Sequence, residues 1–182
     1  MSKAPFLQTE RLALWLPTAD DLQPMFGIVS HPQTQRHLGP EPTMADHFMR
    51  FARGAGSWSL YGYGSLMVRL RGGDGSLLGT CGLFHSWRGL GEDFDNQPEA
   101  GWILSVDAGG HGYAEEAMRA IYRWFDAAHG PRRTVCMIDP ANAPSIRLAG
   151  KLGFEPLRDT QYGGEAIRLF ERPRSASPRS PG

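Results

Sequence analysis

The 182-residue sequence predicts a mixed α/β domain, of the α+β kind, built on a mostly antiparallel sheet. Several short segments alternate apolar and polar residues, which is typical of half-buried strands, and two of them are joined by the turn GGDG at residues 72–75. Residues 112–129 instead repeat apolar side chains at helical spacing, with charged residues mostly on the opposite side. These patterns predict about six or seven strands and about four helices.

The first half of the chain contains two helix-capping patterns and the hairpin. Thr18 with Asp21, and Thr43 with Asp46, have the spacing of an N-cap residue and a helper at the third helical position. The expected elements, in order, are a strand at 12–16, a helix at 19–30, a helix at 44–53, and hairpin strands at 64–71 and 76–87.

The second half is expected to extend the sheet and to cover it with helices. A polar loop at 88–99 is followed by a strand at 100–106, the central helix at 112–129, a strand at 133–138, a helix at 142–152, and closing strands at 153–159 and 165–172. The sequence contains no internal repeat. We therefore expect one domain over 1–172 and a disordered tail at 173–182, which is rich in Pro, Ser and Arg.

Composition limits the classes of function. The formal net charge is +0, so no general attraction to nucleic acid or to an anionic membrane is expected. No window approaches the roughly 20 apolar residues of a membrane span, and the N-terminus lacks a signal-peptide core. Cys81 and Cys136 lie in separate apolar runs, which predicts two buried free thiols rather than a disulfide or metal site. A cytoplasmic protein without a metal is expected.

A turn with three glycines precedes the central helix. In DAGGHGYAEE, residues 107–116, the glycines remove side chains where the first N–H groups of the helix lack partners. Such a helix start can bind a phosphate group, or the glycines can simply ease a tight turn. A P-loop would need Lys followed by Ser or Thr after the last glycine, and a dinucleotide fingerprint would need a parallel βαβ unit. Both fit poorly.

A later segment, NAPSIRLAGKLGFEPL, is the second half of a recognisable pair of motifs. Together they resemble the GCN5-related N-acetyltransferases (GNAT), whose cofactor loop reads Arg/Gln-x-x-Gly-x-Gly/Ala and whose later helix carries Asn-x-x-Ser/Ala and Lys-x-Gly-Phe. The upstream segments TERLALWLPTADDL, SLLGTCGLF and EAGWILSVD are similar to the branch of ribosomal-protein N-terminal acetyltransferases, the RimJ/RimL type. The resemblance covers roughly residues 8–172. The matching residues are Gly109, Gly110, His111, Gly112, Tyr113 and Ala114, then Asn142, Ser145, Lys151, Gly153 and Phe154.

The resemblance implies a sheet in which a central parallel pair of strands splays into a V that holds acetyl-CoA. Pantetheine is then expected against the backbone of Ile103, Leu104, Ser105 and Val106, with the phosphates at residues 109–114 and further contacts from Asn142 and Ser145. The Arg or Gln that begins the family loop is Gly109 in this sequence. Pyrophosphate binding is therefore left to backbone N–H groups.

The implied reaction is direct attack of an amine on the thioester, without an acyl-enzyme. Glu99 is the preferred general base, directly or through water, and His85 is the rival base. Ala149 stands where many relatives carry a tyrosine acid, so Ser145 is the candidate donor to the leaving thiolate; alternatively, Asn142 and Ser145 only cap the helix.

The acceptor side is the least defined part of the sequence. Trp58 and Tyr61, with Tyr63, form a glycine-flanked aromatic stretch that could line an acceptor pocket together with His85 and Glu99, and the acidic loop GEDFDN could attract a cationic amine. The acceptor is a peptide N-terminus or a small amine, aminoglycosides included. The alternatives to an acetyltransferase are an acyltransferase that uses a longer acyl-CoA and a catalytically silent sensor that binds acyl-CoA. Homodimers are common in the resembling branch.

Overall fold

One open sheet of eight strands organises the chain. In the computed structural model, which describes residues 4–174, the strand order is β1-β2-β3-β4-β5-β6-β8-β7. The strands are β1 (Leu7–Gln8), β2 (Leu12–Trp15), β3 (Ser65–Leu70), β4 (Leu77–Ser86), β5 (Gln97–Leu104), β6 (Thr134–Ile138), β7 (Glu155–Tyr162) and β8 (Glu165–Arg172). The seven strands expected from alternation are present, and the two-residue β1 is the one that the sequence pattern did not indicate.

Five α-helices accompany the sheet in the described part of the chain. They are α1 (Leu22–Ser30), α2 (Pro32–Gln35), α3 (Met44–Tyr61), α4 (Tyr113–His129) and α5 (Ala143–Lys151). A 3-10 turn at Ala19–Asp21 leads into α1, and a second one at Val106–Ala108 precedes the glycine turn. The four expected helices are confirmed, and the four-residue α2 is new because it is too short to show a period.

The two capping patterns form as the sequence predicted. The backbone N–H of Thr18 donates to the Asp21 carboxylate at 2.8 Å. At α3, the N–H of Asp46 donates to the Thr43 hydroxyl at 3.1 Å, and that hydroxyl in turn donates to the Asp46 carboxylate at 2.7 Å. The cap at Thr43 therefore satisfies a helix N–H that would otherwise lack a partner, whereas at Thr18 the Asp21 carboxylate satisfies the N–H of the N-cap residue itself.

Helix α3 does not end at Gly54, which corrects the expectation of a flexible aromatic stretch. The helix continues through Gly54 and ends only at Gly62, whose φ is +74°. A Cβ at Gly54 would lie 2.8 Å from the Ser65 hydroxyl oxygen, so this glycine allows the helix to approach β3 closely. Trp58 and Tyr61 therefore project from a regular helix.

The core fills the space between the sheet and α4. The stripe predicted for the central helix is buried at Ala117, Met118, Ile121 and Phe125. Cys81 and Cys136 are both free and buried, as expected. Burial raises the pKa of Cys81 to about 12, so this thiol is unreactive in the folded protein.

His47 joins α3 to the start of α1 through a buried imidazole whose Nε2 lies 3.1 Å from the Leu22 carbonyl oxygen. Burial lowers the pKa of His47 below its usual value, and the hydrogen bond to Leu22 opposes this only in part. The unfolded chain then binds a proton that the folded chain does not. The contribution of neutral His47 to the stability of the fold is therefore complete above about pH 6.5 and decreases below it.

We expect the melting temperature to fall from about pH 7 to about pH 5, less steeply in His47→Gln. The exposed-site control His31→Asn should keep the parent slope; equal slopes in all three would contradict the assignment.

Two of the sequence predictions concern the end of the chain: the disordered tail, and the division into one domain and a tail. Residues 175–182 of the expected disordered tail lie outside the described residues, and the division into one domain and a tail stays a prediction.

Among residues 4–174, the helices are all too short or too polar to cross a membrane.

Candidate active site

Strands β5 and β6 form a V-shaped opening in the middle of the sheet. They are the one parallel pair of neighbours in the described part of the chain, and they meet in register at a single pair, Glu99 and Val135. Beyond this junction the two strands diverge, while β5 stays paired with β4 as far as Leu104. The splayed parallel pair implied by the family resemblance is therefore present.

The open edge of β5 offers backbone groups at alternate residues. The N–H of Ser105 donates to the Leu78 carbonyl at 2.8 Å, and the Ile103 carbonyl lies against Gly79. Both residues therefore direct their backbone groups toward β4. Because these groups alternate along a strand, Trp102 and Leu104 direct theirs into the V. Of the four residues expected to hold pantetheine, Leu104 has this orientation; Trp102 was missed.

The glycine turn leaves the start of α4 without internal hydrogen-bond partners. Gly112 is the N-cap residue with φ of +77°, and it provides no side-chain cap. The first backbone hydrogen bond of the helix runs from the Glu116 N–H to the Gly112 carbonyl at 3.1 Å. The N–H groups of the preceding residues, 113–115, are thus available to a ligand, at the positive end of a 17-residue helix. The geometry is that of an anion site.

The structure explains the departure from the family loop at Gly109. The Gly109 N–H closes the preceding 3-10 turn onto the Val106 carbonyl at 2.9 Å. A Cβ at Gly109 would lie 2.9 Å from that same carbonyl oxygen. A larger residue would therefore have to displace the backbone of this turn.

Arg11 anchors the glycine turn and was missed in the sequence. Its guanidinium donates to the His111 carbonyl at 3.0 Å, pairs with Glu116 at 2.6 Å, and lies 4.8 Å from the centre of the Tyr113 ring. His111 is exposed and stacks on Tyr113. A hundred residues separate Arg11 from His111, so no local motif could have linked the two.

Ser145 lies at the start of α5 and contacts β5 across the V. The Asn142 side chain accepts a hydrogen bond from the Ser145 N–H at 3.2 Å, so the capping geometry considered for this pair is present. The Ser145 hydroxyl is not part of the cap, because it accepts the indole N–H of Trp102 at 3.3 Å. Its own proton therefore remains free to donate.

Glu99 is buried at the junction of the V and is held by an arginine. Its side chain is 4% exposed and that of Arg88 is 8% exposed. The guanidinium donates to both carboxylate oxygens, at 2.6 Å and 2.7 Å, and the Ser86 hydroxyl donates to one of them. Burial acts to lower the pKa of Arg88, but the attraction of Glu99 outweighs it and the pKa is raised. The pair is a charged one, and Arg88 was missed in the sequence.

His85 does not share the face of the sheet with Glu99. Phe84 is the residue paired with Glu99 across β4 and β5, and side chains alternate along a strand, so His85 points to the other face. There it bonds the Tyr63 hydroxyl at 3.0 Å and the Asn96 amide oxygen at 3.1 Å. The structure does not bring these two candidate bases together.

Trp58 and Tyr61 lie with His85 rather than with Glu99. The Trp58 indole donates to the Ser65 carbonyl at 2.9 Å and packs against Trp124 of α4, with ring centres 5.4 Å apart. Tyr61 stacks on His85 at 3.9 Å. These contacts describe an aromatic cluster between α3 and α4, on the opposite side of the sheet from the Glu99 carboxylate.

Two carboxylates of the acidic loop at 92–95 are already bonded to neighbours within the chain. Asp93 pairs with Arg158 at 2.7 Å. Asp95 accepts the backbone N–H groups of Arg88 and Leu90 at 2.8 Å and 2.9 Å. The hypothesis that this loop attracts a cationic amine is therefore not supported at two of its three carboxylates.

The segment after α1 crosses the open end of the V. His37 contacts Asp139, just after β6, with Nδ1 and Oδ2 2.6 Å apart. Burial opposes ionisation of Asp139, but the hydrogen bonds of His37 and of the Ala141 N–H hold its pKa below its usual value. On the β5 side this segment borders a cavity of about 270 Å³, lined by Gly27, Ile28, His31, Gln33, Ser105, Val106 and Asp107.

Residues 4–174 contain no cluster of three side chains suited to a metal ion.

Comparison with known sequences identifies the family. Residues 11–155 match the family profile of the acetyltransferase (GNAT) domain. The chain therefore belongs to the GNAT family of acetyltransferases, which places it among the acyltransferases. The glycine turn and the α5 start carry the two motifs on which the resemblance in the sequence rested, and the V is the feature that the resemblance implied.

The proteins similar to the chain include one curated relative and three solved structures. YkkB of Bacillus subtilis is 32% identical over 116 residues, which are 61% of this chain and 63% of YkkB. A protein assigned to the GnaT family of acetyltransferases from Bordetella pertussis is 32% identical with a TM-score of 0.81, over 91% of this chain and 98% of the other.

The other two structures are similar in fold alone. A protein assigned as a ribosomal-protein-serine acetyltransferase from Vibrio cholerae is 21% identical, with a TM-score of 0.66 over 92% of this chain and 98% of the other. The aminoglycoside acetyltransferase AAC(6')-Ib, in complex with paromomycin and acetyl-CoA, is 18% identical, with a TM-score of 0.72 over 95% of this chain and 100% of the other.

Proposed function

We propose that the protein transfers the acetyl group of acetyl-CoA to a primary amine, either a protein N-terminal α-amine or the amine of a small molecule. The observation that carries the proposal is the open edge of β5, which leads from the Glu99–Val135 junction to the start of α4 with its unpaired N–H groups. A pantetheine chain needs the first feature and a pyrophosphate needs the second. The acetyl-CoA bound to the fold relative AAC(6')-Ib supports the choice of donor.

The cofactor is proposed to bind mainly through the backbone. Trp102 and Leu104 direct N–H and C=O groups into the V, where an extended pantetheine can add like a short strand. The N–H groups of residues 110–115 receive the phosphates. Arg11 holds that loop in position, and the charge of Arg11 is already paired with Glu116. We propose these groups in place of the backbone of Ile103 and Ser105.

Ser145 is proposed to donate a proton to the leaving thiolate. The amine attacks the thioester carbonyl, the C–S bond breaks, and the sulfur leaves with the electron pair of that bond. The Ser145 hydroxyl accepts from Trp102 and so keeps its proton for the sulfur. This role requires no tyrosine at Ala149.

Glu99 is proposed to accept the proton that the amine loses. A carboxylate has about four acceptor positions, and in Glu99 three are used, two on Oε2 by Arg88 and Ser86 and one on Oε1 by Arg88. One position on Oε1 remains for the ammonium form of the acceptor or for a water. An α-amine with pKa of about 8 loses its proton more easily than a lysine with pKa of about 10.4, which favours an α-amine as the acceptor.

The proposal is tested by following free thiol released from acetyl-CoA with peptides of varied N-terminal residue, small amines and aminoglycosides. Tight CoA binding without thiol release on any acceptor would instead support a silent sensor, and faster release from a longer acyl-CoA would support the alternative donor. Lack of CoA binding would reject the assignment of the glycine turn.

A cytoplasmic location is also proposed, and the two buried free thiols support it.

Ser145→Ala separates a chemical role from a capping role. The hydroxyl is not part of the cap, so we expect an unchanged melting temperature and an unchanged affinity for CoA. We expect kcat to fall about 10- to 100-fold, as is usual when an acid catalyst is removed. Asn142→Ala is the matched variant, and it should lower stability by about 1 kcal/mol. If Ser145→Ala keeps the parent kcat, the thiolate takes its proton from elsewhere.

A further inference from the structure

Arg53, on α3, is a half-buried cation without a counter-ion among the described residues. Its Nε is buried and has no hydrogen-bond partner, and among residues 4–174 no carboxylate forms an ion pair with it. Burial, and then repulsion by Arg88, lower the pKa of Arg53, while the attraction of Glu99 opposes this only in part. A buried N–H without an acceptor is destabilising unless a group outside the chain pairs with it.

The position of Arg53 is close to the junction of the V. Its guanidinium carbon lies 5.8 Å from the centre of the Phe84 ring. That ring in turn covers Gly101, since a Cβ on Gly101 would lie 3.0 Å from it. Gly101 is two residues beyond Glu99 on β5, so Arg53 borders the place where the strands begin to diverge.

The local charges leave one positive charge in excess. Arg53 and Arg88 each carry one positive charge, Glu99 carries one negative charge, and the exposed Arg50 adds further repulsion. A polycationic acceptor would increase this imbalance, whereas an anionic group would remove it. The cofactor does not supply that group here, because its phosphates are assigned to the start of α4 and its inner end is a neutral thioester.

We propose that Arg53 binds a carboxylate of the acceptor, so that the substrate is a primary amine with a carboxylate close to its amino group. This inference rests on the proposed function. The planar guanidinium can donate two parallel hydrogen bonds to a carboxylate. The carboxylate is that of a free amino acid or of an acidic residue at a peptide N-terminus, and the experiment separates the two.

The test compares each carboxylate acceptor with its carboxamide. One pair is a free amino acid and its amide, phenylalanine and phenylalaninamide, and the other is an Asp-Ala and an Asn-Ala peptide amide. The ratio of kcat/KM within each pair is measured for the parent and for Arg53→Met and Arg53→Gln. Amine pKa differences within a pair cancel when the ratios of parent and variant are compared.

We expect both Arg53 variants to lower the ratio about 10- to 100-fold in one of the pairs, and that pair identifies the source of the carboxylate. Arg50→Gln, one turn earlier and exposed, should keep the parent ratio. Acetyl-CoA affinity should not change. Arg53→Met should melt at the parent temperature or above, because it removes a half-buried, unpaired cation and its buried Nε–H.

An unchanged ratio in both pairs would overturn the inference. If equal losses on carboxylate and carboxamide come with a lower melting temperature, Arg53 is a structural residue. If no amine is acetylated, the proposed function fails, and the inference is then decided by binding. In that case phenylalanine or the Asp-Ala peptide must raise the melting temperature of the CoA-loaded parent but not of Arg53→Met, or the inference fails as well.

Discussion

The Glu99→Gln variant is expected to be less stable than the parent protein and to lose most of its turnover. The substitution leaves the Arg88 guanidinium 8% exposed and without a counter-ion. Removal of one partner of a buried ion pair typically costs about 3–5 kcal/mol of unfolding free energy. Loss of the proposed base should also lower kcat by about 100-fold or more. Urea unfolding and the thiol-release assay measure the two effects.

The double variant Arg88→Met/Glu99→Met separates stability from chemistry. Replacement of a whole buried pair by apolar side chains is often neutral or stabilising, so the double variant should recover most of the parent stability. It should not recover turnover, because no carboxylate remains at the junction of the V. Turnover that returns with stability would show that Glu99 acts only through the fold.

The local elements could be predicted because each depends on nearby residues. The central helix follows from apolar spacing within residues 112–129, and the hairpin follows from alternation on both sides of GGDG. The capping pairs at Thr18 and Thr43 are three residues apart, within reach of one turn. The sheet neighbours β5 and β6 were implied only by the resemblance to the GNAT family, since parallel pairing leaves no local pattern.

The parts of the site that were missed depend on distant contacts. Arg88 is separated from Glu99 by the loop before β5, and Arg11 reaches the glycine turn from the hairpin of β1 and β2. Arg53 is unremarkable in sequence, as one of several arginines on an exposed helix pattern. Only its lack of a partner in the folded chain distinguishes it, and a sequence does not contain that information.

The glycines were ambiguous for a physical reason. A glycine can end a helix, as Gly62 does with φ of +74°, or allow a close approach within one, as Gly54 does against Ser65. The two uses have the same letter. Gly54 was therefore misinterpreted as the end of a helix, and the aromatic residues expected on a flexible stretch, Trp58 and Tyr61, lie on the continued helix.

Gly112→Val is expected to remove most of the affinity for CoA. Gly112 has φ of +77°, a conformation that a β-branched residue adopts only with strain. Relief of that strain turns the peptide groups at the start of α4 away from their common point, and their N–H groups are the phosphate ligands proposed in the absence of the family Arg or Gln. We expect CoA affinity, measured by calorimetry, to fall about 10- to 100-fold.

Gly112→Asn is the matched variant, because asparagine is close to valine in size but tolerates a positive φ. A Cβ at this position would lie 3.7 Å from the Arg11 guanidinium, which is ordinary contact and leaves room for either side chain. Asparagine should therefore keep CoA affinity within about threefold of the parent. Equal losses in both variants would mean that the added volume blocks the phosphates. Parent-like affinity in Gly112→Val would mean that the phosphates do not bind at the start of α4.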